Sequence, residues 1–182
     1  MKTNLLIQTF IISNIFFLGC ESTNGNKQNN YHVNLLPKNE SKANGQLKLE
    51  FDNKNRIHLT GKIAGLNANS LHGFHIHENG DCSDSTAMNA GGHFNPDSHH
   101  QHGSSILKEE YKHQHAGDLG NLQANASGIV NIDLYIEKPL NLNDDDKYSI
   151  LGKSIIVHAD EDDEKTSPAG NAGKRILCGV IK

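Results

Sequence analysis

The chain of 182 residues contains no tryptophan, and aromatic side chains make up only 5% of it. It has four prolines, two methionines and three cysteines, and no C-x-x-C pair of the kind that builds thiolate metal modules. No apolar run reaches the roughly 20 residues that a membrane-spanning helix requires. No segment sustains the 3.6-residue apolar period of an amphipathic helix, so a helical bundle is excluded as the framework. Basic residues are not in excess: 17 Lys and Arg face 21 Asp and Glu, for a formal net charge of −4. That balance argues against a protein that binds nucleic acid nonspecifically. What remains, with 17 glycines and short β-branched runs, is an all-β domain of short strands.

The first residues read as a targeting segment. Lys2 supplies a positive start, and residues 5–18 are apolar but interrupted by Gln8, Thr9, Ser13 and Asn14. This suits a signal peptide over residues 1–19. The segment ends in "FLGC", which resembles a bacterial lipoprotein signal, so Cys20 is expected to be acylated and to become the mature N-terminus. Residues 20–30 are polar and without period, a flexible tether. The folded domain is expected over residues 31–182. A lipid would then be the only membrane contact, and the protein would work in the periplasm or cell envelope. Glu21 does not resemble the aspartate that retains lipoproteins at the inner membrane, which favours the outer membrane.

With Cys20 committed to lipid, Cys82 and Cys178 remain. In an oxidising compartment they are expected to form a disulfide, with two buried thiols as the alternative. The bridge would close a loop of roughly 97 residues, for which chain entropy predicts about 4–5 kcal/mol.

Strand signals recur along the domain: "YHVNLL" near the start, then alternating runs over Gln46 to Phe51 and Arg56 to Leu66 joined by the turn "DNKN". Further runs lie at Leu71 to His77, Asp118 to Ala124, Gly128 to Ile136, Ser154 to Ala159 and Arg175 to Ile181. These eight strands predict a Greek-key β-sandwich or barrel of immunoglobulin-like architecture. A short helical turn is admissible within Leu142 to Tyr148. Between Glu78 and Gly117 all periodicity is lost. A forty-residue loop in a compact domain is usually functional or disordered.

Histidine is the compositional outlier, with twelve residues, most of them between His72 and His115. His75 and His77 are separated by one apolar residue, so a strand presents both imidazoles on one face. "GGHFNP" adds His93, "HHQHG" adds His99, His100 and His102, and "HQHAGDLG" adds His113, His115 and Asp118. "IIVHAD" then adds His158 on a strand. Imidazole suits copper and zinc, and a carboxylate can complete a zinc tetrahedron. From the residues alone, His99, His100 and His102 compete for one place, and His113 competes with His115.

The ordered motifs "GFHIHENGD", "GGHFNP", "HAGDLGN", "VH" before an acidic loop, and "GNAGKRILCGVI" resemble the copper/zinc superoxide dismutases. The resemblance covers nearly all of residues 31–182. It implies long metal-binding and electrostatic loops on the barrel and one copper and one zinc ion per subunit. Copper would be held by His75, His77, His93 and His158, and zinc by His93, His102, His115 and Asp118. His93 would bridge the two ions and carry a proton in catalysis. His102 fits the zinc place because it precedes Gly103 and follows His93 by nine residues; His115 fits because of its "H-x-G-D" spacing to Asp118. Arg175 would bind the substrate, superoxide anion, beside copper. Asp162 would join a copper histidine to a zinc histidine, Cys82 and Cys178 would form the family's disulfide, and His72 would be structural. Lys153, Lys165 and Lys174 would draw the anion in despite the acidic run Asp160 to Glu164. A noncatalytic metal buffer on the same scaffold is the rival reading; such relatives lose copper ligands or the arginine. The resemblance is compatible with a monomer or a homodimer.

Overall fold

The computed structural model describes residues 30–103 and 113–182. The signal segment, Cys20 and nearly all of the tether lie outside the described residues. Eight strands follow in chain order: β1 (Tyr31–Pro37), β2 (Asn44–Phe51), β3 (Ile57–Ala64), β4 (Leu71–His77), β5 (Asp118–Gln123), β6 (Val130–Ile136), β7 (Ser154–His158) and β8 (Arg175–Val180). Their order in the sheet is β5-β4-β7-β8-β1-β2-β3-β6, and every strand pair is antiparallel. The two outermost strands, β5 and β6, are consecutive in the chain. The sheet therefore curls into a nearly closed Greek-key barrel. A 3-10 turn, Met88–Ala90, lies in the β4–β5 connection. The segment from Leu142 to Tyr148 forms turns and no helix. Its carboxylates account for this, because Asp146 Oδ1 accepts from Tyr148 N at 2.7 Å and so favours a turn over a helical turn.

Strand alternation places the core. Leu47 and Leu49 of β2, Ile57, Leu59 and Ile63 of β3, and Ile155 and Val157 of β7 point inward and are buried. Strands β4 and β7 are buried on both faces along nearly their whole length. On β4, Phe74 and Ile76 enter the barrel core while His75 and His77 point out of it, under the long connections. On β7, Ile156 packs outside the barrel against Cys178, Ala87 and Ala90. Filling the barrel through Phe74 and Ile76 contributes about 1.5–3 kcal/mol for each buried side chain.

A disulfide joins Cys82 in the long β4–β5 connection to Cys178 on β8, with the Cα atoms 5.7 Å apart. A buried lysine on the β1–β2 turn supports the same loop: Lys38 Nζ donates to the carbonyls of Cys82 and Asp84, the latter at 2.7 Å. Next to it, Asn39 N donates to Ser85 O at 2.8 Å, and Asn39 Nδ2 donates to Arg175 O at 2.9 Å.

Candidate metal centre

Two groups of side chains converge outside the barrel wall. In each group, one potential ligand atom per residue lies within 4.8 Å of all the others. The first comprises His75, His77, His93 and His158; the second comprises His93, His102, His115 and Asp118. The first takes His75 and His77 from β4 and His158 from the end of the neighbouring strand β7, with His93 supplied by the long loop. An isolated bridge between His77 and His93 ties that loop back to the sheet. The second group takes Asp118 from the start of β5 and the rest from the loop. His93 belongs to both.

Four of the imidazoles are aimed by the nitrogen that faces away from the groups. His77 Nδ1 donates to Gly91 O at 3.0 Å, and His158 Nδ1 donates to Gly173 O at 3.2 Å. His75 Nε2 and His102 Nε2 donate to the two oxygens of Asp162, at 2.7 and 2.8 Å. These contacts set the tautomer and leave the inward nitrogen as a lone-pair donor. Within the second group, His93 Nδ1 donates to Asp118 Oδ1 at 2.6 Å. Among the described residues, seven buried side-chain polar atoms have no hydrogen-bond partner. Six of these are the nitrogens that face the two groups: His75 Nδ1, His77 Nε2, His93 Nε2, His102 Nδ1, His115 Nδ1 and His158 Nε2. A buried polar atom without a partner costs about 1–3 kcal/mol, so a structure that gathers six of them requires a shared partner. Imidazole nitrogens with one carboxylate are the donor set of copper and zinc ions, and the residues fit both.

Charge is distributed to match. Burial, reinforced by the neighbouring imidazole of His93 and by Arg175, pushes His77 down to about 2. Burial likewise lowers His158 to about 3 and His93 to about 4, in the latter case against the pull of Asp118. Burial also lowers His102, but the two flanking carboxylates outweigh it and raise this imidazole to about 9: Asp162 accepts from Nε2, and Asp118 Oδ2 lies 3.2 Å from Nδ1. Asp118 and Asp162 are both held below the ordinary carboxylate range, because imidazole hydrogen bonds overcome the burial that opposes ionisation.

Arg175 opens β8 beside His158, its register partner on β7. Its guanidinium is half-buried and donates to Ala87 O at 2.6 Å and to Gly91 O at 2.7 Å. The Gly91 carbonyl therefore accepts from both Arg175 and His77. Asp162 is buried, so the run Asp160 to Glu164 presents less negative charge to solvent than its composition suggests. Asp163 is occupied in folding its own loop, accepting from Thr166 and Asn171. Of the three lysines, Lys153 lies over the Phe94 ring at 4.2 Å, Lys174 lines a surface pocket with Asn39 and Thr86, and Lys165 is exposed. His99 and His113 are exposed and His100 is half-buried, all outside the two groups. His72 bridges Ser70 Oγ and the backbone carbonyl of His158.

Four supporting residues were not singled out by sequence. Asn121 on β5 holds Asp162 from both sides, accepting from its N at 2.8 Å and donating to its O at 2.9 Å. Gly170, at φ +60°, leaves the space that Asp162 and His102 fill, since a Cβ there would collide with both. Lys138 is buried, and its ammonium donates to the carbonyls of His115, at 3.1 Å, and Asp118. Lys38 is the fourth. Asn121 lies inside the motif "HAGDLGN", where its place beside Asp118 was a usable signal; the lysines carry no local signal.

A Greek-key barrel carrying two ligand groups that share one imidazole defines a binuclear metalloprotein of the copper and zinc type. The family model for copper/zinc superoxide dismutase (SODC) matches residues 22–181. The chain is 39% identical over 148 residues to superoxide dismutase [Cu-Zn] 3 of Arabidopsis thaliana, covering 78% of this chain and 84% of that one. It is 36% identical over 158 residues to the extracellular superoxide dismutase [Cu-Zn] of Brugia pahangi, covering 82% and 74%. Among solved structures, a double mutant of a SOD-like protein from Bacillus subtilis superposes with a TM-score of 0.70 at 35% identity, covering 81% of this chain and 94% of that one. The chain belongs to the copper/zinc superoxide dismutase family. It is a superoxide dismutase, an oxidoreductase that uses copper and zinc.

Proposed function

We propose that His75, His77, His93 and His158 hold the copper, that His93, His102, His115 and Asp118 hold the zinc, and that the enzyme protects the cell envelope from superoxide arising outside the cytoplasm. The observation that carries the assignment is the set of six partnerless imidazole nitrogens, divided between two groups that share His93. The all-histidine group suits the redox ion, and the group with a carboxylate suits zinc. Copper, when bound, supplies the one-electron chemistry that turns one superoxide into dioxygen and the next into peroxide, while zinc supplies a fixed charge and an ordered loop.

The chain's own residues do the rest. Arg175 is aimed by two backbone carbonyls and stays charged at any working pH, so it receives the anion and holds it beside His77 and His158. His93 faces the copper group through Nε2 and the zinc group through Nδ1, so it can carry a proton at Nε2 while retained at Nδ1. Asp162 keeps His75 and His102 oriented together, linking the copper and zinc ligands through one carboxylate.

The envelope reading rests on the signal-like residues 1–19, the lipoprotein-like "FLGC" at Cys20, the polar tether, and a disulfide of the sort that persists in oxidising compartments. It places a lipid-anchored enzyme in the periplasm, facing a small diffusing anion and no nucleic acid. Labelling with a radioactive fatty acid tests the anchor: label lost in Cys20→Ser supports it, and label retained or never present removes it.

The catalytic test is superoxide decay by the copper- and zinc-loaded protein beside Arg175→Ala. The variant should lose about 1.5–3 kcal/mol of charge-assisted hydrogen bonding, roughly ten- to a hundredfold in rate. Turnover should also fall as ionic strength rises, because the Arg175 guanidinium attracts the anion through screened charge. Full metal content without turnover would instead leave a metal buffer.

A further inference from the structure

We propose that His99, His100 and His113 form an outer binding site for one divalent zinc or copper ion. These imidazoles belong to neither buried group. They come from two paired segments. Gln101 faces Gln114 in a parallel bridge, with Gln101 N donating to His113 O at 2.9 Å and His115 N donating to Gln101 O at 3.0 Å. This register sets His102 beside His115 and, two positions earlier on each segment, His100 beside His113.

The two pairs are spaced alike. The ring centroids of His102 and His115, both in the second buried group, are 5.9 Å apart; those of His100 and His113 are 6.4 Å apart. His99 adds a third ring, 4.6 Å from that of His100. His100 Nδ1 donates to Gln114 O at 3.1 Å, which leaves Nε2 as the lone-pair donor. The same device, a backbone carbonyl at Nδ1, orients His77 and His158. The ring nitrogens are not gathered on one point, but His99 and His113 are exposed and can rotate toward His100 without giving up packing. Asp97 is not counted as a ligand, because Lys147 and Tyr148 already hold its oxygens.

Three neutral nitrogen donors select borderline ions such as zinc(II) and copper(II) over magnesium or calcium. Exposed rings must surrender rotamer freedom on binding, so this position is weaker than the buried ones. Its place on the segments that supply His102 and His115 makes it a capture point for zinc on its way inward, a role that rests on the zinc assignment above.

Isothermal titration of zinc into the full chain, already loaded with copper and zinc, tests the site. One further equivalent is expected, and it should disappear in His99→Asn/His100→Asn/His113→Asn with the resident copper and zinc content unchanged. The double variant His99→Asn/His113→Asn keeps the His100–Gln114 hydrogen bond and should weaken the further equivalent at least tenfold. No further equivalent in the parent, or one undiminished in both variants, would overturn the site. For capture, the metal-free triple variant should take up limiting zinc several-fold more slowly than the parent; equal rates would remove that role. Failure of the parent to retain the first two ions would overturn the buried assignment, a result read from metal content before the titration begins.

Discussion

Asp162 joins the two groups of candidate ligands. Its two oxygens each accept from one imidazole, His75 in the first group and His102 in the second, and Asn121 clamps its backbone. In Asp162→Asn one oxygen becomes an NH2 group, which cannot accept from an imidazole N–H. One imidazole then loses its orientation. Affinity at one buried position should fall about ten- to a hundredfold, measured by competition with a chelator. Lys138 acts on one side only, because its ammonium holds the carbonyls of His115 and Asp118. Lys138→Met leaves both carbonyls short of a donor, at about 1–3 kcal/mol each if they stay buried. Zinc affinity should fall while copper affinity stays within a few-fold of the parent. An equal loss of both ions would mean that the lysine supports the fold in general and has no particular role at the zinc group.

At the level of elements, β4 does two jobs through alternation: Phe74 and Ile76 fill the barrel, and His75 and His77 face the metal groups. Phe74→Ala should cost about 3–5 kcal/mol of stability, read from denaturant unfolding. The loop between β4 and β5 is fastened at three places: by the Cys82–Cys178 disulfide, by the bridge from His77 to His93, and by Lys38 and Asn39 on the β1–β2 turn. The stretch it thereby fixes includes Ala87 and Gly91, whose carbonyls aim Arg175. Cutting the disulfide with Cys178→Ser should lower stability by about 2–4 kcal/mol. It should also slow superoxide decay in protein whose copper and zinc content is intact, because Arg175 loses fixed acceptors. Unchanged decay in fully metallated variant would show that Lys38 and Asn39 suffice to hold the loop.

For the whole molecule, pH acts on the metal-free protein from two sides. His77, His93 and His158 titrate in the folded chain at about 2, 4 and 3, because of burial, and near 6.5 when unfolded. Between these values the unfolded chain binds protons that the folded one does not. The stability they contribute is therefore complete above about 6.5 and is lost as the pH falls toward 4 and below. His102 runs the other way. Its folded value of about 9 lies above the unfolded one, so its contribution is complete below about 6.5 and is lost as the pH rises through 9. Thermal unfolding of the metal-free protein should show a maximum near neutrality and a decline on both sides. Under the proposed assignment, in which a neutral His102 gives Nδ1 to zinc, metal loading should abolish the alkaline decline. A melting temperature independent of pH from 7 down to 4 would contradict buried neutral imidazoles.

Strand alternation, the His75-x-His77 spacing, the "H-x-G-D" run and the sheer excess of histidine are local properties, so the all-β class and the ligand types were legible without coordinates. So was the number of strands, because each apolar run is bounded by turn residues. The three-dimensional fold decided what local pattern leaves open. Nothing in "HHQHG" distinguishes three neighbouring imidazoles; burial against Asp118 and Asp162 selects His102, and the pairing of 100–102 with 113–115 leaves His99, His100 and His113 outside. Lys38 and Lys138 carry no local signal, yet each is buried because carbonyls from distant segments satisfy its ammonium. Asp162 was singled out only through the family resemblance, since its acidic run alone leaves its role open; Gly170 leaves it room and Asn121 closes on it. These contacts join residues tens of positions apart. Their energies come from desolvation and hydrogen-bond satisfaction, which exist only once the barrel has closed.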